Sequence, residues 1–162
     1  MGFFIGAATN KVDRKGRVSV PFSFRKAIAD SGVQGFVVFP SPSRKNLEAC
    51  SYERYAELME DLDFLEPSDP RRTKLSQRLV SDAHEMMLDT EGRIGLPSGF
   101  VAMCGIDNKA SFVGKAHHFE IWGPDQYEGQ AAKNREIEDG EDVSLPWLKA
   151  QAKLARSGEG GA

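Results

Sequence analysis

Two short segments of the chain carry the same chemically active residues at the same spacing. They are Asp13, Gly16 and Arg17 in the first copy, and Asp89, Gly92 and Arg93 in the second. An arginine can donate two hydrogen bonds to guanine in the major groove, and glycine permits the positive φ of a tight turn. An aspartate can accept from the turn backbone or pair with the arginine. The pattern indicates either a turn that presents an arginine to DNA or a solvated hairpin in which Asp and Gly recur for folding only.

The charge around the two arginines differs between the copies. The first turn adds Arg14 and Lys15, which could neutralise DNA phosphates and give affinity without sequence information. The second turn has Thr90 and Glu91 at those positions, and an added acid weakens the attraction for phosphate. We therefore predict that the first turn binds DNA more strongly. The predicted DNA-binding residues are Arg14, Lys15, Arg17 and Arg93, and the predicted turn-forming residues are Asp13, Gly16, Asp89 and Gly92.

Composition is that of an ordinary globular protein, with 162 residues, 40% hydrophobic and 28% charged. No apolar run approaches the roughly 20 residues of a membrane helix, and the N-terminus lacks the pattern of a signal peptide. Two cysteines, Cys50 and Cys104, make no disulfide framework, so we expect both to be buried thiols in a cytoplasmic protein. The net charge is −3, but six Lys or Arg face two acids in the first 35 residues, so a local positive field is expected.

The two motifs belong to a longer internal repeat. The aligned pairs are Asp13 with Asp89, Pro21 with Pro97, Phe24 with Phe100, and Phe36 with Phe112. Alternating strands, a helix after the proline and two further strands give each copy the predicted order β-β-α-β-β. The fold class predicted from the sequence is α+β. The predicted domains are a first unit over 1–55, a helical connector over 56–82, a second unit over 83–128 and an acidic, partly disordered tail over 129–162.

Further helices are predicted outside the repeats. In the connector one runs from Tyr52 to about Leu62 with Ser51 as cap, and one from Pro70 to about Ser81 with Ser68 or Asp69 as cap. After the second unit we predict a helix over "PDQYEGQAAKNRE", a charged loop over "EIEDGED" and a helix over "LPWLKAQAKLAR". The final "SGEGGA" is expected to fray. The basic segment "RRTKLSQRLVSD" is either a solvated helix face or a phosphate-contacting one.

Residues suited to catalysis or metal binding are sparse. The three histidines are His84, His117 and His118, and adjacent histidines on a strand point to opposite faces. No phosphate loop, zinc-binding helix or nucleophile elbow occurs in the sequence. We therefore predict no catalytic residue, no metal, no cofactor and no small-molecule substrate. The aromatic and aliphatic residues of the "FEIW" segment (Phe119, Ile121 and Trp122) are predicted to fill the core of the second unit.

The motifs "DRKGR" and "DTEGR", each followed by proline, together with "FEIW", resemble the MraZ family of bacterial transcription regulators. The resemblance runs from about Phe3 to Tyr127. It implies two SpoVT–AbrB-like units that form a swapped-hairpin barrel, with the basic turns on one outer face. It places the family's DNA-contacting arginine at Arg17 and its counterpart at Arg93. This sequence departs from an even repeat at Thr90 and Glu91, at Val101 opposite Arg25, and at Gly95 and Gly99.

The resemblance also implies a function and partners. MraZ-like proteins bind short direct DNA repeats upstream of their own division and cell wall gene cluster and assemble into rings. We therefore expect a cytoplasmic, nucleoid-associated repressor whose partners are double-stranded DNA and further copies of itself, without a membrane. The alternatives are an AbrB-like antitoxin or global transition-state regulator, a ring protein with a purely structural role, and an enzyme. The repeat counts against the AbrB-like antitoxin or global regulator, because such chains usually contain a single unit.

Overall fold

The order of strands and helices follows the predicted repeat. The computed structural model describes residues 2–160, and its eight strands within that range are β1 (Ala7–Lys11), β2 (Arg17–Ser19), β3 (Gly35–Pro40), β4 (Leu47–Cys50), β5 (His84–Met87), β6 (Arg93–Gly95), β7 (Lys109–Gly114) and β8 (Phe119–Trp122). The helices are α1 (Phe22–Asp30), α2 (Tyr52–Asp63), α3 (Pro70–Ser76), α4 (Ser98–Met103), α5 (Pro124–Arg135) and α6 (Leu145–Gly160). A π-helical turn, Gln77–Ser81, extends α3. Within the described range, no helix combines the length and the apolar content that a bilayer crossing requires.

The strands of the two repeats are interleaved rather than kept in separate sheets. The larger sheet has the order β1-β7-β8-β4-β3-β5, and a two-stranded ribbon joins β2 to β6. Every pairing is antiparallel. The strand β1 of the first repeat pairs with β7 of the second, and β5 of the second pairs with β3 of the first. The predicted α+β fold is confirmed. Closure into a barrel stays a prediction, because no strand pairing within residues 2–160 joins β1 to β5.

Strand pairing corrects one part of the repeat alignment. Val12 donates to the carbonyl of Asn108, and Leu88, which matches Val12, donates to the carbonyl of Gln34. Gln34 is therefore the counterpart of Asn108, which makes Ala110, not Phe112, the counterpart of Phe36. The sequence alignment missed this shift because it matched two phenylalanines across helices of unequal length. The first helix, α1, has 9 residues and α4 has 6, so the second copy reaches its third strand sooner.

Helix starts agree with the predicted capping chemistry, whereas one helix end does not. Ser51 Oγ accepts the backbone N–H of Arg54 at 3.2 Å, and Asp69 accepts that of Arg71 at 2.9 Å. Each cap satisfies a backbone donor that has no partner inside its helix. The last helix, α6, continues to Gly160. The prediction that "SGEGGA" frays is therefore wrong for residues 157–160. The remaining Gly161 and Ala162 lie outside the described residues.

The core of residues 2–129 is built around Phe119, which is fully buried. Its ring lies 4.9 Å from Phe4, 5.2 Å from Phe24 and 5.1 Å from Phe36, measured between centroids. These rings come from both repeats, so one core holds the interleaved strands together. Trp122 is a correction to the sequence prediction. It is only half-buried because strand alternation places it on the face opposite Phe119.

Both cysteines take the structural role that was predicted. Cys50 and Cys104 are buried free thiols. Burial raises the pKa of each to about 12, so both thiols are neutral at physiological pH. A neutral thiol is a poor nucleophile and a poor metal ligand.

We expect Phe119→Ala to destabilise the fold by about 3–5 kcal/mol, because it removes the ring that joins four other aromatic side chains and leaves a cavity. Denaturant unfolding measures this change. Phe64→Ala is the matched control, since Phe64 is 89% exposed and should change stability by no more than about 0.5 kcal/mol. Similar costs for the two variants would contradict a core centred on Phe119.

Candidate nucleic-acid interface

One carboxylate organises the first turn. Asp13 Oδ1 accepts the backbone N–H of Lys15 at 2.9 Å and of Arg17 at 2.8 Å, and Oδ2 accepts Arg17 Nε at 2.7 Å. The backbone N–H of Gly16 donates to the carbonyl of Asp13, which closes the turn. Asp13 therefore has both roles that the sequence allowed: it caps the turn backbone and fixes the direction of the arginine. Arg14 and Lys15 are exposed at the tip.

The second turn repeats this geometry with a different charge. Asp89 Oδ1 accepts the backbone N–H of Glu91 and of Arg93, both at 2.9 Å, and Oδ2 accepts Arg93 Nε at 2.9 Å. The backbone N–H of the arginine is the main cause that lowers the pKa of each turn aspartate. Because these pKa values are lowered, the stabilisation is present at neutral pH and is lost only when acid protonates the carboxylates. The two turns thus hold their arginines by the same set of hydrogen bonds to one aspartate.

Each turn packs against the other repeat. Gly16 has φ +81° and Gly92 has φ +76°. A Cβ on Gly16 would lie 2.7 Å from the carbonyl oxygen of Leu96, which follows β6. The backbone N–H of Leu96 also donates to the carbonyl of Gly16, and that of Val20 donates to the carbonyl of Gly92. Glycine is thus favoured at both positions by the backbone angle, and at Gly16 also by the close approach of the backbone of the other repeat.

The ribbon places the two arginines on one surface. The buried pair Val18 and Ile94 faces the core. Because side chains alternate along a strand, the flanking residues point to the opposite side. This outer face of the ribbon carries Arg17, Ser19, Arg93 and Gly95. The two arginines occupy diagonal positions, typically about 7–8 Å apart, with small residues opposite each. A two-stranded ribbon of this kind fits the major groove of B-DNA.

The two guanidinium groups are not equally free. Among the ion pairs within residues 2–160, Arg17 has Asp13 as its single partner. Arg93 pairs with Asp89 and also with Glu91, whose carboxylate lies 3.5 Å from Nη1. The side chain of Arg17 is 42% exposed and that of Arg93 is 29% exposed. The terminal nitrogens of Arg17 are therefore the more available for a further hydrogen bond.

Arg25 is a site residue that the sequence reasoning missed. Its guanidinium covers Gly92 of the second turn, and a Cβ there would lie 2.6 Å from its Cδ. It also stacks on the exposed ring of Phe22, 5.4 Å from the centroid. Its Nε is buried without a partner among the described residues. No local signal could have found this contact, since it arises from the interleaving of the repeats. It supplies positive charge beside the turn that carries Glu91.

One cluster has the composition of a metal site. Ligand atoms of Glu48, His118 and Glu120 lie within 4.8 Å of one another. Arg78 donates to Glu48 at 3.0 Å, and the indole N–H of Trp122 donates to Glu120 at 3.0 Å. A protein donor thus engages one oxygen of each carboxylate, and the absence of a metal stays a prediction.

The interleaved repeats and the paired Asp–Arg turns define a two-repeat protein of the AbrB-like class. Residues 79–143 match the family described as "MraZ protein, putative antitoxin-like". A transcriptional regulator MraZ of Parvibaculum lavamentivorans is 35% identical over 99% of both chains. One from Pelagibacter ubique is 34% identical over 90% of this chain and 94% of its own. The chain belongs to the MraZ family.

A third relative, the transcriptional regulator MraZ of Rickettsia canadensis, is 34% identical over 79% of this chain and 86% of its own. All three relatives are named for the regulation of transcription, which is not an enzymatic role. Two predictions from the sequence are thereby confirmed, namely the family and a regulator of transcription rather than an enzyme.

We expect Gly16→Ala to destabilise the protein more than Gly6→Ala. Both glycines have positive φ, which costs an alanine about 1–2 kcal/mol, but only the first has a backbone oxygen within contact distance of the new methyl group. No atom lies within 4 Å of the Cβ position on Gly6. Thermal or denaturant unfolding of the two variants checks the difference. Equal losses would show that the approach of Leu96 to the first turn does not constrain the fold.

Proposed function

We propose that the chain is a sequence-specific DNA-binding repressor of the division and cell wall gene cluster, and that it binds short direct repeats in its own promoter. The observation that carries the proposal is the ribbon face on which Arg17 and Arg93 lie together, each held by an aspartate. The target cluster and the direct repeats come from the family resemblance. The regulator acts in the cytoplasm at the nucleoid, and its partners include neither a membrane nor a small molecule.

The turn geometry supports direct readout of guanine. In each arginine Nε is bonded to the aspartate. Both terminal nitrogens of Arg17 therefore remain to reach O6 and N7 of one base, whereas Glu91 already pairs with one terminal nitrogen of Arg93. Because the side chain is already ordered, less rotamer entropy is lost on binding. Ser19 and Gly95 are small, which lets the ribbon approach the base edges closely. Arg14 and Lys15 at the tip contact phosphates, which sets affinity rather than sequence preference.

A single chain has few basic contacts, and its net charge is −3. We therefore propose that the chain forms a ring-shaped homo-oligomer in which several ribbons bind successive repeats. Linked sites of this kind raise the overall affinity by about 10²–10⁴ without any new contact. The oligomer presents its basic turns to the DNA, so the acidic residues elsewhere in the chain do not prevent binding.

An antitoxin is the second candidate, and the description of the matching family favours it. A DNA-binding antitoxin would give the same gel-shift result as a regulator, so DNA binding alone does not separate the two roles. A toxin gene beside the gene of this chain, together with a stable complex of the two products, would favour the antitoxin. Binding to upstream repeats of the cluster without such a neighbour would favour the proposed regulator.

We expect Arg17→Lys to remove most of the preference for repeat DNA over a scrambled duplex, because a lysine cannot make the paired hydrogen bonds of an arginine. The loss corresponds to about 1–3 kcal/mol of discrimination. A gel-shift titration with the upstream DNA and the scrambled duplex measures it. Arg135→Lys is the matched control, since Arg135 is exposed on α5 and belongs to neither turn. Undiminished preference in Arg17→Lys would rule out this arginine as the reader.

We expect Arg93→Ala to weaken binding less than Arg17→Ala, because Glu91 already occupies one terminal nitrogen of Arg93. Glu91→Gln should then raise affinity, since it releases Arg93 and removes a negative charge near the DNA. Equilibrium binding of the three variants to one repeat-containing duplex provides the comparison. Equal losses from the two arginine variants, with no gain from Glu91→Gln, would contradict this asymmetry.

A further inference from the structure

Two lysines from different repeats lie directly opposite each other beside the first turn. Lys11 at the end of β1 pairs in register with Lys109 at the start of β7. Both are exposed, and within residues 2–160 neither takes part in an ion pair. Like charges in directly opposed positions of an antiparallel pair destabilise a sheet. The fold therefore contains a charge pair that does not help it to fold.

The pair lies on the same side of the strands as the arginines. Val12 is buried and forms a bridge with Val18, and it donates to the carbonyl of Asn108. Alternation then places Lys11 on the outer side, next to Ser19, whose carbonyl accepts from Asn10 at 2.7 Å. Lys109 pairs with Lys11, and Ser19 pairs with Arg93. The single bridge between Val12 and Val18 brings these two pairs into one row of four residues. With strands about 4.8 Å apart, this row is roughly 14 Å long.

The corresponding positions in the other half of the fold carry no charge. There Gly35 pairs with Met87, and the corrected alignment makes them the counterparts of Lys109 and Lys11. Met87 is 58% exposed, so that position also faces solvent. The architecture accepts uncharged residues at this place, which means that folding does not require the two lysines.

Acidic neighbours limit the effect that is expected. Asp107 and Asp125 line a shallow depression of about 220 Å³ with Lys109. Their carboxylates are not within ion-pair distance of the lysine, but they reduce the local positive potential. We therefore expect each lysine to contribute one phosphate contact and no more.

We propose that Lys11 and Lys109 form a phosphate-binding pair that completes the DNA-binding surface of the first turn. The inference rests on the proposed DNA-binding function and adds to it a residue of the second repeat. Lysine binds phosphate as a point charge, so the pair contributes affinity without sequence preference. The ribbon contacts the base edges, and the lysine end of the row contacts the backbone beside the groove.

The test uses Lys109→Gln and Lys11→Gln in the full chain, with Lys133→Gln as a control at an exposed lysine of α5. Affinities for the repeat duplex and a scrambled duplex are measured over a range of salt concentrations. Each variant of the pair should lose affinity by the same factor on both duplexes. The slope of log affinity against log salt should fall by about 0.9 for each lysine, as expected for one lost phosphate contact. The control should match the unaltered chain.

A stability measurement separates phosphate binding from a structural role. Without DNA, Lys109→Gln should melt at the same or a higher temperature, because it removes a like-charge contact. An unchanged salt slope, or a lower melting temperature that accompanies the lost affinity, would overturn the inference while leaving the proposed function intact. If the unaltered chain bound neither duplex, both the proposed function and this inference would be wrong.

Discussion

The hydrogen bonds of one carboxylate in each turn are the constraint on which the site depends. Asp13 and Asp89 each accept two backbone N–H groups and one arginine Nε. The backbone bonds shape the turn, and the bond to Nε gives the guanidinium a fixed direction. On the surface that we propose to bind DNA, an unpaired aspartate would repel phosphate. Here each carboxylate is paired with an arginine. The positive charge of that longer side chain lies beyond the carboxylate and offsets its repulsion of phosphate.

Interleaving of the repeats makes the surface around each turn a composite. The first turn packs against Leu96 and lies beside Lys109, both from the second repeat. The second turn is covered by Arg25, from the first repeat. A change in one repeat therefore alters the environment of the other turn. The difference between the two turns thus arises from the residues packed against each turn as well as from the four residues that differ between the two motifs.

The sequence was sufficient for the features that depend on local chemistry. The repeated Asp, Gly and Arg predicted both turns, and the caps at Ser51 and Asp69 set the starts of two helices. Features that depend on pairing between distant strands could not be read in this way. The residue of the second repeat that is equivalent to Phe36, namely Ala110, became evident only from the hydrogen bonds of Val12 and Leu88. The contact of Arg25 with Gly92 could not be predicted either, because nothing near Arg25 in the chain indicates it.

The ribbon formed by β2 and β6 has approximate two-fold symmetry about the pair Val18 and Ile94. A surface with perfect two-fold symmetry would bind a DNA site equally well in either orientation, and would suit a palindrome. The charges break that symmetry, with Arg14 and Lys15 at one end and Thr90 and Glu91 at the other. In the complex that we propose, each chain therefore has a head and a tail along the duplex. Successive chains can then follow one another in the same sense, which is the arrangement that tandem sites of one polarity demand.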